Sequence, residues 1–162
     1  MAGILIIAHA PLATALRDCV AHIYGGLPAR IGAIDVLPNS DPALVVAQAN
    51  TEIERLREEN GALVLTDMFG ATPSNIAARL ATVPNVRVLA GVNLPMLVRS
   101  VCYRACELDT LVDKALAGAE KGVQTISAST PPMSANDCGS VPTPCAEAVC
   151  GVVPEKLKPA GA

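Results

Sequence analysis

The sequence predicts an α/β fold: an open, doubly wound, mostly parallel sheet of strand order 2-1-3-4 with helices on both faces. The first observation is that short apolar runs alternate with segments of helical periodicity up to about residue 126. The second is that these runs are continuously apolar, which is typical of parallel strands buried on both faces. Because crossovers are right-handed and the 2-1-3-4 order is common in small proteins of this class, strands one and three are expected to be neighbours.

Each predicted element has its own pattern. The apolar runs predict strands at residues 3–8, 31–37, 62–66 and 85–90. The helical periodicity predicts helices at residues 11–24, 42–59 and 72–82, another after Asn93, and a last one that ends at Gly122. Asp41-Pro42 and Thr72-Pro73 combine a capping side chain with a proline at the first helical position, and Asp109 is expected to cap the last helix.

The C-terminal part of the chain differs from the rest. Residues 1–128 are predicted to form one domain, and residues 129–162, rich in Pro, Ser, Ala and Gly, are predicted to be a disordered tail. Residues 123–127 alternate apolar and polar side chains, which predicts a short fifth strand. A four-stranded sheet leaves an edge that a second chain can cover, so we expect a homodimer that exchanges this strand.

Composition excludes several classes of function. The net charge is −3 and the basic residues are scattered, which argues against a nucleic-acid-binding protein. The N-terminal apolar run is too short for a signal peptide or a membrane span, so a cytoplasmic protein is expected. The six cysteines form no C-x-x-C pair, and therefore no metal site is predicted.

Polar residues follow three of the predicted strands: His9, Asp67 and Asn93. The carboxyl ends of parallel strands share one edge, and the predicted order brings His9 and Asp67 to the topological switch point. A carboxylate bonded to one ring nitrogen fixes the tautomer of an imidazole, so that the other nitrogen presents its lone pair as a nucleophile. A buried or merely incidental histidine at His9, and a simple turn or helix cap at Asp67, stay open at this point.

The segment after Asp67 completes the predicted site. Gly70 and Ala71 allow the backbone to approach a ligand, and Thr72 adds a hydroxyl at a helix N-terminus, where an anion such as a phosphoryl group is favoured. Neither a GxGxxG nor a GxxxxGK[ST] motif is present, so no nucleotide and no other cofactor is predicted. Met68 and Phe69 either pack locally or form an apolar rim for a partner protein.

Three segments carry a resemblance to a known family. They are G-I-L-I-I-A-H at residues 3–9, T-D-M-F-G-A-T-P-S-N at 66–75 and A-G-V-N-L-P-M-L at 90–97. Up to about residue 127 the chain resembles the IIA component of the mannose-type (mannose/fructose/sorbose) phosphotransferase system. It departs from the family pattern at Ala71, where a second glycine is usual, and at Ser74, where a bulkier residue is common.

The resemblance implies a phosphotransferase in which His9 accepts a phosphoryl group from the phosphocarrier HPr and passes it to a IIB component. Sugar would then be phosphorylated at the membrane. The chain itself would be linked to the membrane only indirectly, through IIC and IID components. Asp67 would orient His9, and members of the family form strand-exchanged dimers. The residues expected to contact the phosphoryl group or a partner are Ala10, Met68, Phe69, Gly70, Ala71, Thr72 and Asn93.

Two other functions stay open. One is a regulatory phosphocarrier or binding module without sugar transport, which the sequence does not separate from transport. The other is the phosphotransfer subunit of dihydroxyacetone kinase, whose first domain resembles this fold. The G-A-T-P-S-N and A-G-V-N-L-P-M segments favour the sugar-transport type.

Overall fold

Four parallel strands form one sheet in the order β2-β1-β3-β4, which confirms the predicted order. A computed structural model describes residues 1–126 of the chain. The strands are β1 (Gly3–His9), β2 (Ile31–Val36), β3 (Ala62–Thr66) and β4 (Val86–Ala90). β1 lies between β2 and β3, pairing Ile4 with Ile31 on one side and with Leu63 on the other. The carboxyl ends of β1 and β3 are therefore adjacent.

Helices cover both faces of the sheet. They are α1 (Leu12–Tyr24), α2 (Pro42–Leu56), α3 (Thr72–Leu80), α4 (Leu94–Tyr103) and α5 (Leu108–Lys121). The first four begin just after the carboxyl end of a strand, so four helix N-termini lie at the sheet edge that carries His9. α5 packs against α4 and closes that layer.

The core consists of two layers separated by the sheet. Alternation along β1 sends Ile4 and Ile6 to the layer of α1, α4 and α5, and Leu5 and Ile7 to the layer of α2 and α3. These four side chains are completely buried, and full burial of such a side chain stabilises the fold by about 1.5–3 kcal/mol. His9, the last residue of this buried strand, is where β1 reaches solvent.

Two of the predicted helix caps are wrong. Ala71 occupies the N-cap of α3 and Thr72 is the first helical residue, without a capping hydrogen bond. Glu107 precedes α5, so that Asp109 lies in its first turn instead of capping it. An N-cap residue has a non-helical backbone, whereas Thr72 and Asp109 already lie within their helices. The predicted cap of α2 is confirmed, because Asp41 Oδ1 accepts a hydrogen bond from the Ala43 N–H at 2.8 Å.

The described residues of the predicted fifth strand, 123–126, form no strand within this single chain. Residues 123–126 lie in neither a helix nor a strand, and residue 127 lies outside the described residues. A strand exchanged with a second copy has its hydrogen-bond partners in that copy, so the exchange stays a prediction. The end of the predicted domain and the whole predicted tail also lie outside the described residues. Within residues 1–126 no helix is long and apolar enough to cross a membrane.

Candidate functional site

The end of β1 presents His9 to solvent while holding its backbone in place. The six residues before it are buried, whereas 51% of the His9 side chain is exposed. The His9 N–H donates a hydrogen bond to Asp67 Oδ2 at 3.0 Å, in the position where a longer β3 would continue the ladder. The side chain of Asp67 therefore replaces a backbone acceptor and ties the ends of β1 and β3 together.

The same carboxylate also contacts the imidazole. His9 Nδ1 lies 2.6 Å from Asp67 Oδ2, at the short end of the distances of charge-assisted hydrogen bonds. The other carboxylate oxygen accepts from the Met68 N–H at 2.9 Å. Asp67 is only 11% exposed, and three donors fix it, two of which belong to His9. The structure thus places together the two residues that the strand order predicted to meet.

These contacts keep Asp67 ionised. Partial burial, the largest single effect, raises the pKa of its carboxyl group, but the hydrogen bonds from the His9 N–H, the His9 ring and the Met68 N–H together outweigh burial. The pKa of Asp67 is consequently below its ordinary value of 3.8. A carboxylate that is ionised at neutral pH accepts a hydrogen bond from the His9 Nδ1–H, which leaves Nε2 unprotonated in the neutral imidazole.

The loop between β3 and α3 lies beside this pair. Its tip exposes two apolar side chains, with Phe69 89% exposed. Gly70 has φ +82, in the left-handed region that favours glycine, and a Cβ there would meet nothing within 4 Å. The chain turns at Gly70 and leads into Ala71, the N-cap residue, so that α3 begins at Thr72.

The four helix N-termini at this edge differ in how they are capped. Asp41 caps α2, and Asn93 Oδ1 accepts from the Met96 N–H of α4 at 2.9 Å. In the first turn of α1, the Thr14 N–H donates a hydrogen bond to the carboxylate of Asp35. Among the described residues, no side chain caps the N-terminus of α3. The positive end of α3 is therefore the one at this edge that remains open to an anion.

Two of the predicted contact residues have their polar groups engaged elsewhere. The Asn93 amide caps α4 and donates to the Ala119 carbonyl of α5 at 3.3 Å, which joins these two helices. The Ala10 N–H donates to the Val36 carbonyl at 3.1 Å, and a cis peptide bond follows between Ala10 and Pro11. Among residues 1–126 no group of three or more His, Cys, Asp or Glu side chains is arranged to hold a metal ion.

Sequence reasoning did not identify Asp35 as part of this edge. It is the only charged residue in β2, which is otherwise apolar, and that single carboxylate is the signal that was available. Its partner Thr14 lies 21 residues earlier in the chain, so only the packing of α1 on the sheet reveals the contact.

Comparison with known proteins identifies the family to which this chain belongs. Residues 3–116 match the model of the EIIA-man family, described as PTS system fructose IIA component. The chain belongs to this family. It is 31% identical over 111 residues to the PTS system mannose-specific EIIAB component of Escherichia coli (strain K12), which covers 67% of this chain and 34% of that protein. The chain thus spans about a third of the length of that relative.

Two further relatives match over a larger share of their own length. The chain is 32% identical over 96 residues to the PTS system sorbose-specific EIIA component of Lacticaseibacillus casei, covering 59% of this chain and 68% of that one. The crystal structure of phosphotransferase system component EIIA from Streptococcus agalactiae superposes with a TM-score of 0.70 at 28% identity, covering 77% of this chain and 97% of the other. The IIA family and its fold are therefore shown for this chain.

Proposed function

We propose that this chain carries a phosphoryl group between two proteins of a sugar phosphotransferase system. His9 Nε2 accepts the group from phosphorylated HPr and passes it to a IIB component, which uses it for the uptake and phosphorylation of a sugar. The observation that carries the proposal is the contact of His9 Nδ1 with Asp67 Oδ2 at 2.6 Å. It directs the free lone pair to Nε2 on a side chain that is half exposed and therefore within reach of a partner protein.

The transfer step balances without a cofactor. The Nε2 lone pair attacks phosphorus while the phosphorus–nitrogen bond of the donor phosphohistidine breaks, and the donor nitrogen keeps that electron pair. The proton on Nδ1 stays in its hydrogen bond to Asp67, whose negative charge stabilises the positive charge that develops on the ring. Reversal of the same step, with IIB as the acceptor, releases the group from His9.

The phosphoryl oxygens need positive partners, and α3 supplies them in this proposal. None of the four loops at the sheet edge, residues 10–11, 37–41, 67–71 and 91–93, contains Lys or Arg. The uncapped N-terminus of α3 offers backbone N–H groups, and Thr72 adds a hydroxyl that makes no capping bond. Stabilisation of the transferring group by oriented N–H groups and positioning is the main source of catalysis in such reactions.

Docking of the partner proteins is supported by the exposed apolar tip of the 67–72 loop. Met68 and Phe69 are both exposed beside His9, and large apolar side chains at the centre of an interface supply much of its binding free energy. Their position lets one surface serve the donor and the acceptor in turn, since both partners must reach the same imidazole.

Phosphorylation in a reconstituted system tests the proposal. The full chain is incubated with phosphoenolpyruvate, enzyme I and HPr, and we expect one phosphoryl group per chain, attached at Nε2 as identified by ³¹P NMR. His9→Ala should remove the label. His22→Ala is the matched control, because His22 is the other histidine of the chain and lies exposed in the last turn of α1. Undiminished labelling of His9→Ala, or attachment at Nδ1, would contradict the proposal.

Addition of a IIB component then tests the second step. Phosphorylated wild-type protein should lose its label to IIB, and the IIB component should gain it. Retention of the label on His9 in the presence of a IIB domain that accepts phosphoryl groups from other IIA components would contradict the role in transport.

A further inference from the structure

The helix that follows His9 begins without a cap from its own sequence. Pro11 occupies the N-cap position of α1, and its side chain makes no hydrogen bond to the helix. Asp35 of β2 fills that role from the neighbouring strand. Its Oδ1 accepts from the Thr14 N–H at 3.2 Å, and its Oδ2 accepts from Thr14 Oγ1 at 2.5 Å. One partly buried carboxylate therefore binds the first turn of α1 through two hydrogen bonds.

These bonds lie directly beside the proposed phosphoryl acceptor. Asp35 pairs with Ala8 in the parallel ladder, and Val36 pairs with His9. The Val36 carbonyl accepts from the Ala10 N–H at 3.1 Å. Two consecutive residues of β2 thus bind the chain on either side of the turn that connects His9 to α1. His9 is held by Asp67 from β3, and the turn after it is held by β2.

We propose that Asp35 is a positioning residue for His9. The inference rests on the proposed function, because positioning matters when Nε2 must meet a phosphoryl group. By closing the N-terminus of α1, Asp35 fixes the turn at residues 10–12 and keeps the imidazole in its bond to Asp67. It also occupies the positive end of α1 with a carboxylate, which leaves the N-terminus of α3 as the place for the phosphoryl anion.

Three substitutions in the full-length chain test this role. Asp35→Ala removes both hydrogen bonds, whereas Asp35→Asn keeps a capping side chain of nearly the same shape. Thr14→Val removes only the hydroxyl contact and serves where Asp35→Ala fails to fold. Asp41→Ala is the matched control, because Asp41 caps α2 through the Ala43 N–H at the same edge of the sheet.

The first measurement needs no phosphorylation. Long-range ¹H–¹⁵N spectra, recorded where the imidazole is neutral and assigned with a His9→Gln variant, report which ring nitrogen carries the proton. Wild type, Asp35→Asn and Asp41→Ala should show His9 protonated at Nδ1, while Asp35→Ala should show a mixture of both tautomers and Thr14→Val a smaller shift. An unchanged tautomer in both Asp35→Ala and Thr14→Val would overturn the proposal.

The second measurement is the rate of phosphorylation by phosphorylated HPr. We expect Asp35→Ala to be phosphorylated about 10- to 100-fold more slowly, because a displacement of a reacting group by about 1 Å or less can cost that much in rate. The rate should recover in Asp35→Asn. Asp41→Ala should react at the wild-type rate despite losing a cap. Equal slowing of Asp41→Ala and Asp35→Ala would overturn the proposal. Absence of phosphorylation in wild type would instead contradict the proposed function, while the tautomer measurement would still test the positioning.

Discussion

At the scale of single residues, the site depends on one carboxylate that performs two tasks. Asp67 Oδ2 accepts from the backbone N–H and from the ring of the same residue, His9. The backbone contact fixes where the imidazole is, and the ring contact fixes its tautomer. This double contact distinguishes His9 from His22, which lies exposed near the end of α1.

Replacement of Asp67 by asparagine should slow phosphoryl transfer to His9. Asparagine keeps the size of the side chain but removes the charge that stabilises a positive imidazole, so we expect a loss on the order of 10²- to 10³-fold in rate. The rate of labelling by phosphorylated HPr measures this. Asp109→Asn is the control, since Asp109 is exposed and pairs with Arg87 far from the site. A wild-type rate in Asp67→Asn would show that Asp67 has only a structural role.

Acid should remove the contribution of Asp67 to stability. Because the pKa of Asp67 is lower in the folded chain than its ordinary value of 3.8, its contribution is fully present above that value. It is lost as the pH falls through the lowered pKa. The difference in Tm between wild type and Asp67→Asn should therefore be constant at higher pH and shrink in the acid range below 3.8. A difference that grows on acidification would contradict this prediction.

At the scale of elements, the four helices that begin at the sheet edge are not equivalent. Side chains of Asp35, Asp41 and Asn93 bind the first turns of α1, α2 and α4. α3 lacks such a cap within the described part of the chain and follows the loop with the most exposed apolar side chain. The β3–α3 connection thus combines an open helix N-terminus with an apolar surface, and the proposed phosphoryl transfer between proteins depends on both features.

Phe69→Ala should weaken docking of phosphorylated HPr without destabilising the fold. The side chain is almost fully exposed, so its removal costs little core packing, but an anchoring aromatic commonly contributes 1 kcal/mol or more to an interface. A loss of about 1 kcal/mol in binding free energy corresponds to a roughly fivefold weaker affinity, since about 1.4 kcal/mol corresponds to a factor of ten. We therefore expect KM for phosphorylated HPr to rise by about fivefold or more, with kcat nearly unchanged. Leu27→Ala, an exposed leucine beyond the other end of α1, should change neither value. A lowered kcat at constant KM would place Phe69 in the transfer step instead.

At the scale of the whole molecule, the sheet ends in two open edges. β2 and β4 are the outer strands, each paired on one side only within the described chain. In the described part of the segment after α5, Val123 and Ile126 are exposed. Exposed apolar residues and open strand edges are both features that a second copy of the chain can cover.

A homodimer that uses residues 123–127 remains our prediction for the assembly. Pro lacks the N–H that a strand donates to its neighbour, so Val123→Pro or Thr125→Pro should shift the protein toward monomer. Analytical ultracentrifugation at micromolar concentration measures the shift, and Val123→Thr, which keeps the N–H and a β-branched side chain, is the control. A wild-type chain that sediments as a monomer would contradict the prediction and leave the chemistry of His9 untouched.

The sequence by itself determined the order of the elements, the parallel sheet and the meeting of His9 with Asp67. It could do so because hydrophobic periodicity and the cap at Asp41 are local signals, and because few chain topologies fit such a pattern. Three sequence motifs then indicated the family, because they resemble those of mannose-type IIA components. Each of these inferences depends on neighbours in the chain or on rules that hold for the whole fold class.

Only the tertiary structure decided which polar groups are already bound and which remain open. The bond between Asp35 and Thr14 spans 21 residues, and the Asn93 amide reaches Ala119 across 26, so neither follows from local pattern. Thr72 has the sequence of a cap, yet it lies inside α3 and leaves the N-terminus of that helix open. The physical reason is that a hydrogen bond needs two groups within about 3 Å, and only packing brings distant residues that close.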